Sequence, residues 1–486
     1  MSHRNSTPDG LALLQERLRQ ELSLLNLPAK AWVPEHRLEG QRVLPVAIVG
    51  GGMAGLCAAT ALLHHGIPAV VFDQAPAGLE GPWLTSARME TLRSPKELTG
   101  PALGIPSLTF RAWFTAQWGE AAWDALDKIP RTQWAEYLHW FRSVSGVDVR
   151  NGLRVQHVEP TGKGYVKLQL LDVSSGQLQQ VLARRVILAT GRDGLGGPWM
   201  PEWASQVPAE RRLHSSDPWN EQAFKDQRVV VIGVGASAMD SAATALEHGA
   251  HSVHLLARRS IIPRINKGKG VGSPGMTHGF WQLPDDWKWQ IRHYINAQQV
   301  PPPKGSTLRV SRFPNAYFHT GTWVESVAVN PDGSVQLTTN QGILNTDYVI
   351  FSTGFRINLQ QRPEFSSFAL SVRRWGDRYQ PAQGLEDHEL YESPDLGPAF
   401  EFQPKAHAQC LGLERIHCFC YPSTLSHGTV AGDIPQISDG AQRLARALCA
   451  AFLSEDIATH FETLQSYADP ELDGDEWQET PLPGAQ

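Results

Sequence analysis

Two glycine-rich segments of the chain have the spacing of a dinucleotide-binding turn. Each follows an apolar run, with Gly50, Gly52 and Gly55 in the first segment and Gly233, Gly235 and Ala238 in the second. The first glycine permits a tight turn out of a strand, and the second lets the backbone approach a pyrophosphate. The third position allows close packing of helix and strand, and the phosphates then lie at the N-terminus of that helix. Two such segments predict two bound dinucleotides.

The residue that ends the following strand in each segment predicts which nucleotide is bound. Asp73 follows the apolar residues 69–72, and a carboxylate at this place accepts hydrogen bonds from ribose hydroxyls. Arg258 and Arg259 follow the second such strand, where cations would meet a 2′-phosphate. We therefore predict FAD at the first segment and NADPH at the second, with Ser237 in the first turn of the second helix. A flavin and a nicotinamide in one chain indicate a redox enzyme.

The composition predicts a globular protein of two or three domains with an ample core, because the chain has 486 residues. Its net charge of −6 does not indicate the basic surface that is typical of nucleic-acid-binding proteins. The 18 histidines show no metal-ligand spacing, and none of the five cysteines belongs to a Cys-x-x-Cys pair. We expect a small-molecule substrate and dioxygen as partners, and the sequence leaves homo-oligomerisation open.

An uncharged run covers residues 43–72 and has the length of a membrane span. Its glycines, together with His64, His65 and Pro68, indicate a buried strand, helix and strand instead. Residues 1–10 are polar and show no secretion signal, so we expect a cytoplasmic protein without stable membrane insertion.

The order of the predicted elements indicates an α/β protein with two Rossmann-like dinucleotide-binding domains, the NADPH domain being inserted in the FAD domain. Spaced leucines in residues 11–25 predict an amphipathic helix that packs on the body of the protein. The expected parts are an N-terminal helical extension (1–40), the first part of the FAD domain (41–205) with a flavin-covering segment (81–149), the NADPH domain (206–350) with a basic insertion (264–313), the second part of the FAD domain (351–460), and an acidic mobile tail (461–486).

Several short motifs, in their order along the chain, resemble the class B flavoprotein monooxygenases. This superfamily comprises flavin-containing monooxygenases, N-hydroxylating monooxygenases and Baeyer–Villiger monooxygenases. Besides the two glycine segments, the motifs are Ala189-Thr190-Gly191, Leu213-His214-Ser215-Ser216 and Phe351-Ser352-Thr353-Gly354-Phe355. The resemblance spans residues 41–355. It implies that NADPH reduces FAD and that a C4a-(hydro)peroxyflavin formed with O2 transfers one oxygen atom to the substrate.

The resemblance also implies roles for single residues. His214 would couple the position of the nicotinamide to the flavin chemistry. Residues 89–98 resemble the stretch that lies over the flavin, where Arg93 or Lys96 would stabilise a developing anion or bind a substrate carboxylate. Asp433 stands in a Gly-Asp motif like that of glutathione- and thioredoxin-reductase-type flavoproteins, whose carboxylate binds the ribityl chain. The other cofactor contacts expected are Trp83, Thr190, Gly191, Ser215, Thr353 and Gly354.

The reaction depends on the subgroup, and the residues leave alternatives open. N-hydroxylation of an amine or amino acid is favoured by the N-terminal extension, the His-Ser-Ser run and the basic insertion. In that insertion a carboxylated substrate would meet Arg264, Lys267, Lys269 and Arg309, whereas an apolar ketone would meet Trp281, Trp287 and Trp289. Baeyer–Villiger oxidation and S-oxygenation are the alternatives. A thioredoxin-reductase-like activity needs two thiols beside the flavin, and Cys418-Phe419-Cys420 has the wrong spacing.

Overall fold

The computed structural model describes residues 10–484. The first nine residues of the predicted N-terminal extension and the last two of the predicted tail lie outside this range.

The described residues form eighteen strands and thirteen α-helices. The strands are β1 (His36–Leu38), β2 (Gln41–Val49), β3 (Ala69–Phe72), β4 (Asp148–Arg150), β5 (Leu153–Pro160), β6 (Val166–Asp172), β7 (Leu178–Leu188), β8 (Gly196–Pro198), β9 (Arg212–His214), β10 (Arg228–Ile232), β11 (Ser252–Ala257), β12 (Ala316–Thr320), β13 (Val324–Val329), β14 (Val335–Thr339), β15 (Gly342–Thr346), β16 (Tyr348–Phe351), β17 (Phe355–Ile357) and β18 (Ile416–Cys418). The helices are α1 (Gly10–Leu24), α2 (Met53–His64), α3 (Phe110–Ala125), α4 (Arg131–Ser145), α5 (Ala236–Glu247), α6 (Pro274–Gly279), α7 (Asp285–Gln298), α8 (Lys304–Ser311), α9 (Trp375–Arg378), α10 (His388–Glu392), α11 (Thr424–His427), α12 (Ile437–Glu455) and α13 (Ile457–Ser466).

The first unit is built on a sheet with the strand order β4–β3–β2–β7–β6–β5. Strands β4, β3, β2 and β7 run parallel, whereas β5, β6 and β7 form an antiparallel meander. Val46, Ala47 and Ile48 of β2 are fully buried, as expected for a parallel strand covered on both faces. Helices α2 and α12 share one buried cluster with this sheet. The first glycine turn follows β2 at the C-terminal edge of this sheet.

The second unit is a parallel sheet with the order β12–β11–β10–β16–β9. Its buried cluster joins the strands to α5 and to Val310 at the end of α8. A small antiparallel sheet, β13–β14–β15, packs against its other face. The predicted α/β class, with one nucleotide-binding unit inserted in the other, is confirmed.

A two-stranded ribbon marks the place where the chain passes between the units. Strand β8, on the way into the second unit, pairs antiparallel with β17, on the way out. A side chain at Gly196 would overlap the carbonyl oxygen of Arg356, so the close pairing of these crossings requires glycine there.

The two ends of the described chain differ in packing. Helix α1 buries Leu14 and Leu18 against the aromatic cluster of α3 and α4, and Arg17 Nε donates to Ser107 Oγ at 2.8 Å. At the other end α13 covers 457–466, so the first residues of the predicted tail are helical. Ile457, Phe461 and Leu464 recur at helical spacing there, but all three are exposed.

The uncharged run of residues 43–72 forms β2, α2 and β3. None of the helices within residues 10–484 is both long enough and apolar enough to cross a membrane.

Candidate cofactor and substrate sites

The first glycine turn joins β2 to α2 in a conformation that requires glycine at two of its positions. Gly50 has φ +106°, and a Cβ there would lie 2.5 Å from the carbonyl oxygen of Ala189. A Cβ at Gly55 would overlap the carbonyl oxygen of Gly50. Strand, turn and helix are therefore in direct backbone contact, which is the packing predicted for these two positions.

Gly52 differs, because the space in front of it is open. The atom nearest to a Cβ built there is Gly81 Cα at 3.7 Å, which is ordinary van der Waals contact. Gly52 is also the extended residue that precedes α2, and no side chain caps that helix. Open space beside unpaired N–H groups fits a pyrophosphate.

Asp73 lies at the end of β3 and faces the same turn. Its Oδ2 accepts from the N–H of Gly51 at 2.6 Å, and Oδ1 accepts from the N–H of Ala75 at 2.7 Å. Burial raises the pKa of Asp73, and these two hydrogen bonds act in the opposite direction. A carboxylate has further lone pairs, so these bonds leave it able to accept from a ribose hydroxyl.

The wall opposite this turn comes from the predicted flavin-covering segment. Trp83 is half-buried and packs edge-on against Trp134 of α4, with 6.3 Å between ring centroids. A groove lies between this wall and the turn, and its lining includes Gly52, Met53, Trp83, Leu138 and His139. The turn and its cover thus enclose a groove at the end of the sheet.

The second glycine turn repeats the geometry of the first. Gly233 has φ +122°, and a Cβ there would lie 2.8 Å from the carbonyl oxygen of Ser352. Gly235 precedes α5 in the same extended conformation as Gly52, with no side-chain cap and open space in front of it. Ala238 is buried, whereas Ser237 is exposed in the first turn of the helix. This turn also fits a pyrophosphate.

Arg258 and Arg259 are exposed just after β11, beside this turn. Arg259 Nη2 donates to the carbonyl oxygen of Ala297 at 2.8 Å. Arg258 makes no side-chain hydrogen bond or ion pair with the described part of the chain. The two neighbouring arginines therefore differ in their freedom to meet a phosphate.

The strand-end motifs lie where each chain crossing begins. Gly191 has φ +85° and Gly354 has φ +82°, in the left-handed region that favours glycine. Thr190 Oγ1 lies 3.9 Å from Cys420 Sγ, and Thr353 Oγ1 donates to the carbonyl oxygen of Trp199. These contacts hold both turns at the junction of the two units.

His214 is buried at the end of β9. Its Nε2 lies 3.0 Å from the carbonyl oxygen of Gly354, so Nε2 carries the proton, and its Nδ1 lies 2.7 Å from Ser216 Oγ. Burial lowers the pKa of His214, although Asp217 opposes this effect. The next residue, Ser215, donates its N–H to the carbonyl oxygen of Phe351 at 2.9 Å. The neutral imidazole thus connects the incoming linker to the outgoing strand end.

Asp433 and Arg93 lie in one cleft with two further arginines. Solvent reaches both side chains, but the protein around them still removes much of their hydration. Burial raises the pKa of Asp433 against the effects of Arg93, Arg292 and Arg192, and burial lowers that of Arg93. Three guanidinium groups therefore act on the carboxylate of Asp433, and the carboxylate of Asp240 also acts on Arg93.

The walls of this cleft come from distant parts of the chain. The guanidinium of Arg192 lies 3.9 Å from the centroid of the Tyr421 ring, and Gly432, in the turn before α12, packs on Tyr421. Arg292 lies on α7, and its buried Nε has no hydrogen-bond partner among the described residues. Arg93 Nη2 is 3.5 Å from the carbonyl oxygen of Pro301, just beyond α7. The insertion therefore closes one side of the cleft.

Sequence reasoning missed Arg192 and Arg292. Arg192 directly follows Ala189-Thr190-Gly191, which was a usable signal. Arg292 has no local signal, because a charged residue on an amphipathic helix is ordinary.

Lys96 is not part of this group of residues. Its Nζ donates to the carbonyl oxygen of Trp123 at 2.7 Å, near the end of α3, and lies 5.1 Å from the Trp123 ring. A lysine that binds the last carbonyls of a helix stabilises that helix. Of the two cations predicted over the flavin, the structure brings only Arg93 near Asp433.

Two expectations for the insertion are wrong. Arg309 is not available for a carboxylated substrate, because its Nε and Nη2 donate to Glu247 at 3.0 and 2.7 Å. Trp289 does not line a ketone pocket, because it is fully buried beside Trp375 and donates to the carbonyl oxygen of Leu385 at 2.8 Å. The exposed Trp287, the half-buried Trp281 and the exposed Arg264 and Lys269 remain on or near the surface.

The thiols of Cys418 and Cys420 are 3.6 Å apart and buried. Burial raises the pKa of Cys418, so its reactive thiolate is disfavoured.

Comparisons with known proteins identify a matching family model and related proteins. A family model described as "Pyridine nucleotide-disulphide oxidoreductase" matches residues 44–269. The chain is 35% identical over 469 residues to the FAD-dependent urate hydroxylase of Xanthomonas campestris pv. campestris, covering 96% of this chain and 98% of that protein. It is 25% identical to an indole-3-pyruvate monooxygenase of Oryza sativa subsp. japonica, over 64% of this chain and 77% of that protein.

Solved structures with the same fold are similar only in architecture. One is L-lysine 6-monooxygenase from Pseudomonas syringae, with a TM-score of 0.65 and 17% identity over 84% of this chain and 99% of that chain. Another is ornithine hydroxylase from Pseudomonas aeruginosa, with a TM-score of 0.63 and 16% identity over 84% of this chain and 98% of that chain.

Proposed function

Because the chain belongs to the class B-like flavoprotein monooxygenases, we propose that it uses FAD, NADPH and O2 to hydroxylate a planar, anionic heterocycle of the urate class. FAD, when bound, supplies the redox chemistry, since it takes a hydride from the nicotinamide and delivers the electrons to dioxygen.

The observation that carries this proposal is the group of three arginines that act on Asp433, in a chain that is similar to a urate hydroxylase along almost its whole length. A guanidinium group is planar and presents several N–H donors in a fixed fork, which suits the carbonyl and ring-nitrogen acceptors of such a heterocycle. Arg93, Arg192 and Arg292 would bind and orient the anion, while Asp433 would bind the ribityl chain of the flavin. The protein's part is to position these groups.

In this proposal the two glycine turns divide the cofactors between the units. FAD lies along the turn at Gly52 and Asp73, and NADPH lies along the turn at Gly235, with Arg258 at its 2′-phosphate. The support is the pair of open, uncapped helix N-termini described above.

N-hydroxylation of an amine or amino acid is the reaction favoured by the sequence, and it stays as the second candidate. The solved structures named for lysine and ornithine support the shared fold, at identities of 16–17%. A carboxylate on an amino acid would also suit an arginine-rich cleft. The two candidates differ in the charge of the reacting group, which is anionic in one and a free amine in the other. Baeyer–Villiger oxidation and S-oxygenation have no supporting residue in the cleft.

A substrate panel tests the proposal. The purified enzyme is given NADPH with urate, xanthine, ornithine, lysine, cadaverine or a cyclic ketone, and NADPH oxidation, oxygen uptake, peroxide release and product mass are measured. We expect urate-class compounds to stimulate NADPH oxidation with one product oxygen per NADPH and little peroxide. Coupled formation of a hydroxylamine from an amine, with no response to urate, would replace the proposal by N-hydroxylation.

A further inference from the structure

The side chain of Arg88 connects the flavin-covering segment to the linker that enters the second unit. Its Nη1 donates to the carbonyl oxygens of Ser215 at 2.6 Å and Ser86 at 2.8 Å, and its Nη2 donates to that of Asp217 at 2.8 Å. The guanidinium carbon lies 3.5 Å from the centroid of the Trp219 ring. One planar group therefore makes three hydrogen bonds and one stacking contact.

The charge of Arg88 is retained in this partly buried place. Burial lowers its pKa to about 10, and the nearby carboxylates of Glu221 and Asp217 act in the opposite direction. At neutral pH the hydrogen bonds to the linker are therefore charge-assisted, which makes them stronger than bonds between neutral groups.

The linker is held from its other side by His214. The imidazole bonds the carbonyl of Gly354, and Asp217 Oδ2 accepts from the N–H of His214 at 2.7 Å. Trp219 Nε1 donates to the carbonyl oxygen of His214 at 3.2 Å. The residues from His214 to Trp219 thus lie between Arg88 and the end of β16.

Two more arginines bind the backbone next to Arg88, one from the second unit and one from α4 of the flavin-covering segment itself. Arg309 of α8 donates to the carbonyl oxygen of Arg88 at 3.1 Å while it pairs with Glu247 of α5. Arg131 of α4 donates to the carbonyl oxygen of Met89 at 2.9 Å. A cavity of about 400 Å³ lies beside these residues. The units therefore meet here through hydrogen bonds made by Arg88 and Arg309.

We propose that Arg88 is a positioning residue that sets the linker, and with it the nicotinamide-binding unit, against the segment that covers the flavin. The inference rests on the proposed use of FAD and NADPH. Loss of the Arg88 contacts would let the linker move relative to the cover. Hydride transfer would then slow, and more of the reduced flavin would react with dioxygen without oxygenating the substrate.

The test compares Arg88→Ala and Arg88→Lys with Arg111→Lys, which changes an exposed arginine paired with Glu120. Amide hydrogen exchange of residues 214–219 is measured on FAD-loaded protein without NADPH. In both Arg88 variants we expect exchange there to be about ten- to a hundredfold faster, as for the loss of a charged hydrogen bond. Lysine keeps the charge but has no fork to bond two carbonyls, so Arg88→Lys should resemble Arg88→Ala.

Kinetics supply the second measurement. In the Arg88 variants we expect a lower limiting rate of flavin reduction at saturating NADPH and a larger fraction of NADPH converted to peroxide. The Arg111→Lys control should match the wild type in exchange, rate and peroxide fraction.

Unchanged exchange in residues 214–219 of the Arg88 variants would overturn the inference, as would wild-type reduction rates and peroxide fractions in variants whose exchange is faster. If Arg88→Ala does not fold, the exchange and kinetic measurements on Arg88→Lys alone test the inference. A wild-type enzyme that oxidises no NADPH would refute the proposed function, and the exchange experiment would still decide whether Arg88 holds the linker.

Discussion

The Nε2 atom of His214 lies 3.0 Å from the carbonyl oxygen of Gly354, although 140 residues separate the two along the chain. Parallel pairing of β9 with β16 brings them together, because the C-terminal ends of parallel strands meet at one edge of a sheet. The contact lies beside the β8–β17 ribbon where the chain passes between the two units. His214 therefore joins the linker that enters the second unit to the strand end where the chain leaves it.

Gly52→Val should give folded protein without bound flavin. Added methyl groups would occupy the open space that we assign to the pyrophosphate, while the nearest protein atom to a Cβ is 3.7 Å away. The measurement is the ratio of flavin absorbance to protein in the purified variant. The control is Gly305→Val on the exposed side of α8, which should keep its flavin. Stoichiometric FAD in Gly52→Val would show that this turn does not bind the pyrophosphate.

Arg258→Ala should reduce the preference for NADPH over NADH by roughly ten- to a hundredfold, as expected for a lost charge-assisted hydrogen bond of about 1.5–3 kcal/mol. Arg259→Ala should have the smaller effect, because the Arg259 guanidinium already bonds the carbonyl of Ala297. The ratio of kcat/KM for the two nucleotides measures this. Equal use of NADH and NADPH by the wild type would contradict the assignment.

Arg93→Ala should mainly lower activity, whereas Lys96→Ala should mainly lower stability. Arg93 faces the cleft at Asp433, so its removal should lower kcat/KM for the substrate by about a hundredfold or more and increase peroxide release. Lys96 binds the end of α3, so its removal should lower the free energy of unfolding by about 1 kcal/mol and leave turnover intact. Turnover assays and urea unfolding of both variants test this pair. The opposite pattern would assign the catalytic role to Lys96.

Replacing both Cys418 and Cys420 by Ala should leave NADPH oxidation intact. Both thiols are buried, and the raised pKa of Cys418 disfavours the thiolate that a disulfide reductase needs. Alanine is used because a serine hydroxyl in this place would be costly to bury. NADPH oxidation is measured with and without a disulfide substrate. Loss of NADPH oxidation in the folded double variant would restore the reductase interpretation.

Stability should fall as the pH drops below about 6.5, the ordinary pKa of histidine. Burial lowers the pKa of His417 and His427 to about 3 and that of His64 to about 4. Above pH 6.5 these three histidines are neutral in both the folded and the unfolded protein. Below pH 6.5 they take up protons in the unfolded chain but stay neutral in the folded protein. Each such histidine should therefore cost about 1 kcal/mol between pH 7.5 and 5.5.

Urea unfolding at several pH values measures this dependence. His64→Gln should show a shallower slope between pH 6.5 and 4 than the wild type. His278→Gln, at an exposed histidine, is the matched control. An equal slope in His64→Gln and wild type would mean that His64 keeps an ordinary pKa.

The sequence by itself determined the two glycine turns and the α/β class. Both follow from local patterns, since glycines at a fixed spacing between an apolar strand and a helix are enough to predict such a turn. The same holds for the second turn, and for the interpretation of residues 43–72 as strand, helix and strand. The order of these motifs was enough for the family resemblance.

Only the tertiary structure decided which charged and aromatic residues face the cleft. Arg93 and Lys96 are three residues apart, and their local patterns are equivalent, but one lies near Asp433 and the other binds the end of α3. The sequence also could not show that Trp289 is buried in a core or that Arg309 pairs with Glu247. Side-chain environments are set by partners far away in the chain, as with Arg88 and Ser215, and local spacing carries no information about such partners.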